Sequence, residues 1–331
     1  KLDKNHRARK IYRHEIGNFN NLDELIFEEK SEAFTVSISL SSDEKYYFIT
    51  TSDHNTSEQY YFKVNEKIFW EEVNKLPQIY SQRGCKVSKD TIYLNHLLSY
   101  VKNGPMRGLT NQKLSELGEK LEFYPGLPQF FQILSSIPQN TEFKHHDFKI
   151  EHYIISTGLS PMIKGSKIFP FVEDVFACEF IESPLPPNYT SQTELSLPLD
   201  LEISQVGMTV DNTIKTRFIF EINKGSNKNV KIDVNSSIPH EHRRIPMDQI
   251  IYIADGPSDV PVFAVVKGMG GKTYAVYDPS SEKEFEQSCK LVEFGRVHNN
   301  GPADYSNESP TSLWLKQKTF DILRNMVRKK E

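Results

Sequence analysis

Apolar positions recur along this chain with two different periods. In Phe34-Thr-Val-Ser-Ile-Ser-Leu40 they alternate every second residue. Ser41-Ser-Asp-Glu44 then supplies turn residues, and Tyr46-Tyr-Phe-Ile-Thr-Thr51 resumes an extended pattern. The spacing predicts two strands joined by a turn. From about residue 65 to 135 the period becomes helical. Asn65 is placed to cap a helix carrying Phe69, Val73 and Leu76, while Leu94, Leu97, Leu98 and Val101 form a second stripe and Leu114, Leu117 and Leu121 a third. Stripes of this kind are core packing. A short helix through Phe130, Phe131 and Leu134 follows Phe123-Tyr-Pro-Gly126.

Farther along, strands and helices alternate. Tyr153-Ile-Ile155 runs into Ser156-Thr157-Gly158, and Ser160-Pro161 reads as a cap followed by proline at the first helical position. Val175 to Phe180 is the next strand, and residues 182–200, rich in Pro, Ser and Thr, form an irregular insertion. A helix from about Lys215 to Asn223 stops at Gly225. A strand from Gln249 to Ala254, a helix from Val262 to Val266, a strand from Tyr274 to Tyr277 and a last helix opened by Ser309-Pro310 complete the series. The alternation predicts an α/β fold with a doubly wound, mostly parallel Rossmann-like sheet. Residues 1–30 are polar with a basic start, and Leu22, Leu25 and Ile26 there have helical spacing, so a solvated arm with one short helix is expected.

Charge narrows the partners. Forty basic and 44 acidic residues in 331 leave a formal charge of −4, which excludes a broad nucleic-acid-binding surface. Cys85, Cys178 and Cys289 are too few and too scattered for a disulfide framework or a cysteine zinc site. No apolar run approaches the roughly 18 residues of a membrane span, and the basic N-terminal stretch lacks the apolar segment of a signal peptide. A cytoplasmic protein without membrane contact is the expectation.

In open α/β sheets ligands sit beyond the carboxyl ends of the strands. Three such ends carry chemistry. Ile251-Tyr-Ile-Ala-Asp255-Gly-Pro-Ser-Asp259 delivers two carboxylates around a glycine turn, a donor set suited to Mg²⁺; the alternative is an Asp-Gly turn with Asp259 as a helix cap. Ser156 offers a hydroxyl at the first turn of a helix, where a phosphate can be held, or else it is a turn residue. Lys215 stands at a helix start against the dipole's preference, which calls for a bound anion unless the side chain is simply exposed.

In this order, Ser156, Lys215 and Asp255-Gly-Pro-Ser-Asp259 resemble the second, third and fourth motifs of the haloacid dehalogenase-like superfamily. Leu121-Glu-Phe-Tyr-Pro-Gly126, Ile222-Asn-Lys-Gly225, Gly295-Arg-Val297 and Pro302-Ala-Asp-Tyr305 extend the resemblance to a bacterial subgroup over roughly residues 46–325. It implies an α/β core from residues 46–57 and 122–331, a helical cap over 58–121, and an N-terminal extension, 1–45, open to a protein partner. It also implies Mg²⁺-dependent hydrolysis of a small phosphomonoester. A first-motif Asp would attack phosphorus and a second Asp two residues on would move the proton. Asp53, Asp255 and Asp259 would hold the metal, while Ser156 and Lys215 would stabilise the transferred group.

The first motif departs from that pattern, because Phe48-Ile-Thr-Thr-Ser52-Asp53-His54-Asn55-Thr56 stands where paired aspartates belong. Two registers are open. One puts Ser52 and His54 at the nucleophile and acid/base positions, and the other puts Asp53 and Asn55 there. In both the pair is lost, so the expectations are an impaired phosphatase or a catalytically silent binding or regulatory module of the same superfamily. Gly268-Met-Gly-Gly-Lys-Thr273 fails as a phosphate loop in spacing and in element order, and Lys144-His145-His146-Asp147 and His240-Glu-His242 read as surface histidines.

Overall fold

The computed structural model describes residues 8–13, 23–30, 35–40, 47–52, 57–60, 66–191 and 202–330. The chain divides into two compact units, one of residues 1–74 with 103–105 and one of residues 75–102 with 106–331.

The first unit is antiparallel. Strands β1 (Lys10–Arg13) and β2 (Glu24–Glu28) pair from Lys10↔Glu28 to Arg13↔Glu24, and the first pair carries a 2.8 Å ion pair. Leu25 and Ile26, expected on a helix, thus lie on a strand. Their helical spacing is a short local signal, and the β1 ladder overrides it. Strands β3 (Thr35–Leu40), β4 (Tyr47–Ser52) and β5 (Ser57–Tyr60) form a meander, with Thr35↔Ser52 and Leu40↔Tyr47 on one side of β4 and Ile49↔Tyr60 and Ser52↔Ser57 on the other. Val36 and Ile49 are buried in it. This corrects one expectation directly. β4 is not the first strand of a parallel core, because both of its edges are filled by antiparallel neighbours. Asp53 and Asn55, and the cap residue Asn65, lie outside the described residues. Helix α1 (Glu66–Gln82) crosses the boundary between the units.

The second unit is mixed α/β. It opens with α2 (Ile92–Asn103), α3 (Asn111–Gly118) and α4 (Gln129–Ser136). Then come β6 (Tyr153–Leu159), α5 (Ser160–Gly165), β7 (Asp174–Ile181), β8 (Gln205–Met208) and α6 (Ile214–Lys224). The chain continues through β9 (Ile251–Ala254), α7 (Val260–Gly268), β10 (Lys272–Tyr277), α8 (Glu282–Glu293), β11 (Asn299–Pro302) and α9 (Pro310–Lys330). Two three-stranded ladders result. In β11-β10-β9 all pairs are parallel, whereas in β6-β7-β8 the first pair is parallel and the second antiparallel. Among the described residues, neither β6 nor β9 pairs on its second edge.

Alternation along β9 decides which side chain meets which layer. Tyr252 and Ala254 pack with Ile219 of α6 and Val262, Phe263 and Val266 of α7. Ile251 and Ile253 point the other way, onto Phe130 and Leu134 of α4 and Leu315 and Leu323 of α9. Ile155 of β6 joins the first of these clusters, so α6 and α7 serve both ladders. Helices α3 and α5 meet at two glycines: a Cβ on Gly118 would stand 2.0 Å from the Met162 carbonyl oxygen, and one on Gly165 would stand 2.0 Å from that of Ser115. Ser160, expected as a cap, is instead the first residue of α5, with Leu159 at the cap position. No helix among the described residues is long and apolar enough to cross a membrane.

Candidate functional site

The carboxyl end of β9 organises a buried polar cluster. Asp255 leaves the strand exposed, Gly256 is buried, and Pro257–Asp259 make one 3₁₀ turn into α7. Asp259 occupies the cap position of α7 but makes no side-chain cap bond. Its carboxylate turns inward to Lys215, whose Nζ donates to Oδ1 at 2.8 Å and to Oδ2 at 3.0 Å. The Ser258 hydroxyl donates to Oδ2 at 2.8 Å, and the Tyr252 hydroxyl donates to Oδ1. Lys215 and Asp259 are both buried, with side chains only 8% and 3% exposed. Burial, together with the Asp259 charge and hydrogen bond, pushes the Tyr252 phenol far above its usual range, so it remains a donor.

This geometry reassigns two expected roles. The anion that Lys215 calls for is supplied by the chain itself, as Asp259. Asp259 in turn is not a free metal ligand, since both of its oxygens already accept hydrogen bonds. The first turn of α6 is capped by Asp211, whose Oδ1 accepts from the amides of Thr213 and Ile214 at 2.8 Å each. That carboxylate also sits where the helix dipole favours negative charge.

Ser156 lies on a bulge, not at a strand end. The register passes from Ile155↔Phe176 to Leu159↔Cys178, so four steps on β6 match two on β7. The Ser156 hydroxyl accepts from the Gly158 amide at 3.0 Å, which leaves its own proton uncommitted. The neighbouring Thr157 carbonyl accepts from the Tyr93 hydroxyl at 2.6 Å and from the Cys178 thiol at 3.4 Å. Burial raises the Tyr93 phenol well above its normal range, with Cys178 adding to the shift. Lys215 and Asp259 therefore meet beside the end of β9, which Asp255 follows in sequence, whereas Ser156 makes no hydrogen bond to any of them. Asp53 and Asn55 lie outside the described residues.

The donor set can be tested against Mg²⁺. Among the described residues no three His, Cys, Asp or Glu side chains converge on one metal position. Asp255 is exposed and makes no hydrogen bond or ion pair within the described residues. One hard carboxylate of this kind fits a Mg²⁺ ion that keeps most of its waters, and it does not fit a dehydrated protein cage.

Sequence reasoning missed Tyr252, Ser258 and Asp211. A phenol inside the aliphatic run Ile251-Tyr-Ile-Ala254 was the available signal, because a buried tyrosine hydroxyl needs a partner.

Comparison with known proteins gives a family-model match at the start of the chain and a relative that covers most of it. The family model for the prolyl oligopeptidase N-terminal β-propeller domain matches residues 1–84. Protease 2 of Moraxella lacunata is 42% identical over 57 residues, which are 17% of this chain and 8% of that protein. No solved structure matches. These matches overturn the resemblance to the haloacid dehalogenase-like superfamily. The segment 48–56, read above as that superfamily's first motif, falls within the propeller match, and β4 is a meander strand. Phosphatase activity loses its basis with the nucleophile loop, and no match supports a silent module of that superfamily either. An uncharacterized protein of Borreliella burgdorferi is 39% identical over 254 residues, 76% of this chain and 85% of that protein. The chain belongs to the family of that Borreliella burgdorferi protein.

Proposed function

We propose that the second unit binds a small phosphorylated molecule together with Mg²⁺ at the carboxyl end of β9. The observation that carries this reading is the exposed Asp255, unpaired among the described residues, four positions before Asp259 of the buried, charge-neutral Lys215–Asp259 pair. Asp255 would hold the cation, which would supply the positive charge that a phosphate needs there. Bound Mg²⁺ would polarise the phosphate oxygens and would be held by Asp255. Lys215 has three protons and shares two contacts with Asp259, so a donor is left for a ligand oxygen.

The two ladders of this unit lie in one doubly wound α/β/α layer, a reading supported by Ile155 and Tyr252 sharing a cluster. The three free thiols favour a reducing compartment. Mn²⁺ as a paramagnetic stand-in for Mg²⁺ gives the test. Electron paramagnetic resonance is expected to show one bound Mn²⁺ per chain, with affinity rising when inorganic phosphate is added. An Asp255→Asn variant that binds Mn²⁺ as well as the parent would contradict the assignment.

A second reading concerns residues 1–84 and rests on the propeller match. They serve as a propeller-type strand module through which a protein or peptide partner is engaged, without peptidase chemistry. No Gly-x-Ser-x-Gly pentapeptide, the strand-to-helix turn that exposes a nucleophilic serine in α/β hydrolases, occurs in the 331 residues. Neither cleavage of a proline-containing peptide nor labelling by a serine-directed fluorophosphonate is expected. Stoichiometric labelling would overturn this reading.

A further inference from the structure

Three consecutive strands end side by side at the edge that carries Asp255. Ala254 is in register with Ala275, and Tyr277 with Pro302, so Asp278 and Ala303 leave the sheet together and Asp255 leaves it two residues earlier on the same edge, where Ile253 packs with Ala303 and Tyr305. A loop from elsewhere in the chain is fastened to this edge. The Tyr305 amide donates to the Pro125 carbonyl at 2.7 Å, and the Phe130 and Tyr305 rings lie 5.7 Å apart. Gly126 has φ +86°, and a Cβ there would stand 2.1 Å from the carbonyl carbon of Tyr305. The loop therefore approaches residue 305 as closely as backbone allows, and only glycine fits.

Fixed in this way, the loop holds Tyr124 with 45% of its surface exposed, while the Phe130 ring that meets Tyr305 is buried. Burial raises the Tyr124 phenol above its ordinary value, and the charges of Asp278, Glu284 and Asp255 add to the shift. The phenol thus stays neutral, and three carboxylates lie within electrostatic reach of it. Asp278 is held ionised by hydrogen bonds from Ser280, and its amide donates to Glu284 at 2.9 Å.

We infer that Tyr124 is the platform for the organic group of the ligand: the phosphate binds at Asp255 and Lys215, and a flat ring attached to it lies on the Tyr124 face. This rests on the phosphate-binding reading given above. Three arguments favour it. A rigid backbone presents an exposed aromatic face at little entropic cost, as preorganised aromatic anchors do. Ring stacking contributes beyond the area it buries. The surrounding carboxylates favour a ring bearing hydroxyl or amino donors, and they repel a second phosphate at its far end.

The probes are inorganic phosphate and phenyl phosphate, titrated calorimetrically into the full chain with Mg²⁺ present. The readout is the ratio of the two dissociation constants. In the parent protein phenyl phosphate is expected to bind about tenfold more tightly. Tyr124→Ala is expected to bring the ratio close to one, and Tyr124→Phe to retain it. If phosphate binds but the ester gains nothing, or if the gain survives Tyr124→Ala, the platform is refuted and the phosphate site stands. If the parent protein binds neither probe, the phosphate site falls and the platform with it.

Discussion

The Lys215 ammonium lies 2.8 Å from one oxygen of Asp259 and 3.0 Å from the other, and the two side chains are only 8% and 3% exposed. Tyr252 and Ser258 complete the shell, so every strong acceptor position of this carboxylate is in use. A buried pair is costly to break from one side, because the surviving charge is left without a partner. Lys215→Met is therefore expected to lower unfolding free energy by about 3–5 kcal/mol. The double variant Lys215→Met with Asp259→Leu should lose less than Lys215→Met alone. Urea denaturation of the parent, Lys215→Met and the double variant measures this, and a double variant no more stable than Lys215→Met would contradict it.

Tyr252 contributes a hydrogen bond to a charged acceptor inside the protein. Its removal in Tyr252→Phe keeps the ring that meets Phe263 edge-on at 5.5 Å. The expected loss is about 1.5–3 kcal/mol, the range for hydrogen bonds to charged groups. An unchanged denaturation midpoint would show that the hydroxyl does not support the pair.

Much of the second unit was legible in the sequence. Apolar periodicity located the helices of Val262 and Leu323 and the strands of Ile251 and Tyr274, because both faces of that layer are buried and leave a strong pattern. The first unit was read less well. Leu25 and Ile26 gave a helical spacing over too few residues to resist a ladder partner, and Thr50-Thr51-Ser52 looked like the polar end of a parallel strand although it lies between two antiparallel neighbours. Neither error can be seen locally, since strand direction is fixed by residues far away in sequence. At the site, Asp255, Asp259 and Lys215 were identified by type and position. That Asp259 is the partner of Lys215 was not legible, because the two are 44 residues apart and meet through the packing of α6 on α7.

The crossing of α3 and α5 has no space for a methyl group. Gly118→Ala and Gly165→Ala each place a Cβ 2.0 Å from a backbone oxygen of the other helix. Each substitution is expected to cost about 1–3 kcal/mol through a forced backbone shift, even though alanine is the better helix former. Chemical denaturation checks both, and a stabilised Gly118→Ala protein would overturn the close contact.

Two histidines set a pH dependence. Burial holds the His152 imidazole below its usual pKa, against a hydrogen bond to the Phe131 backbone, and burial followed by Lys267, Lys272 and Lys318 lowers His298. The Thr273 amide donates to His298 Nδ1 at 3.1 Å, a bond that protonation of that nitrogen would break. Between each depressed pKa and 6.5 the unfolded chain binds more protons than the folded one. Their contribution is thus fully present above pH 6.5 and declines as the pH falls below it. The melting temperature is expected to drop from pH 7.5 to pH 5.5, with a shallower drop in the double variant His152→Gln with His298→Gln. Equal slopes in the two proteins would assign the pH dependence elsewhere.

Cooperation between Mg²⁺ and phosphate at Asp255 is the most direct quantity to measure. Calorimetric titration of inorganic phosphate into the full chain, with and without Mg²⁺, gives the coupling, and linkage requires that phosphate strengthen Mg²⁺ binding by the same factor. The expected result is phosphate binding strengthened at least about fivefold by Mg²⁺, with the coupling abolished in Asp255→Asn. Phosphate binding that is indifferent to Mg²⁺, or coupling that persists in Asp255→Asn, would contradict a joint site at the end of β9.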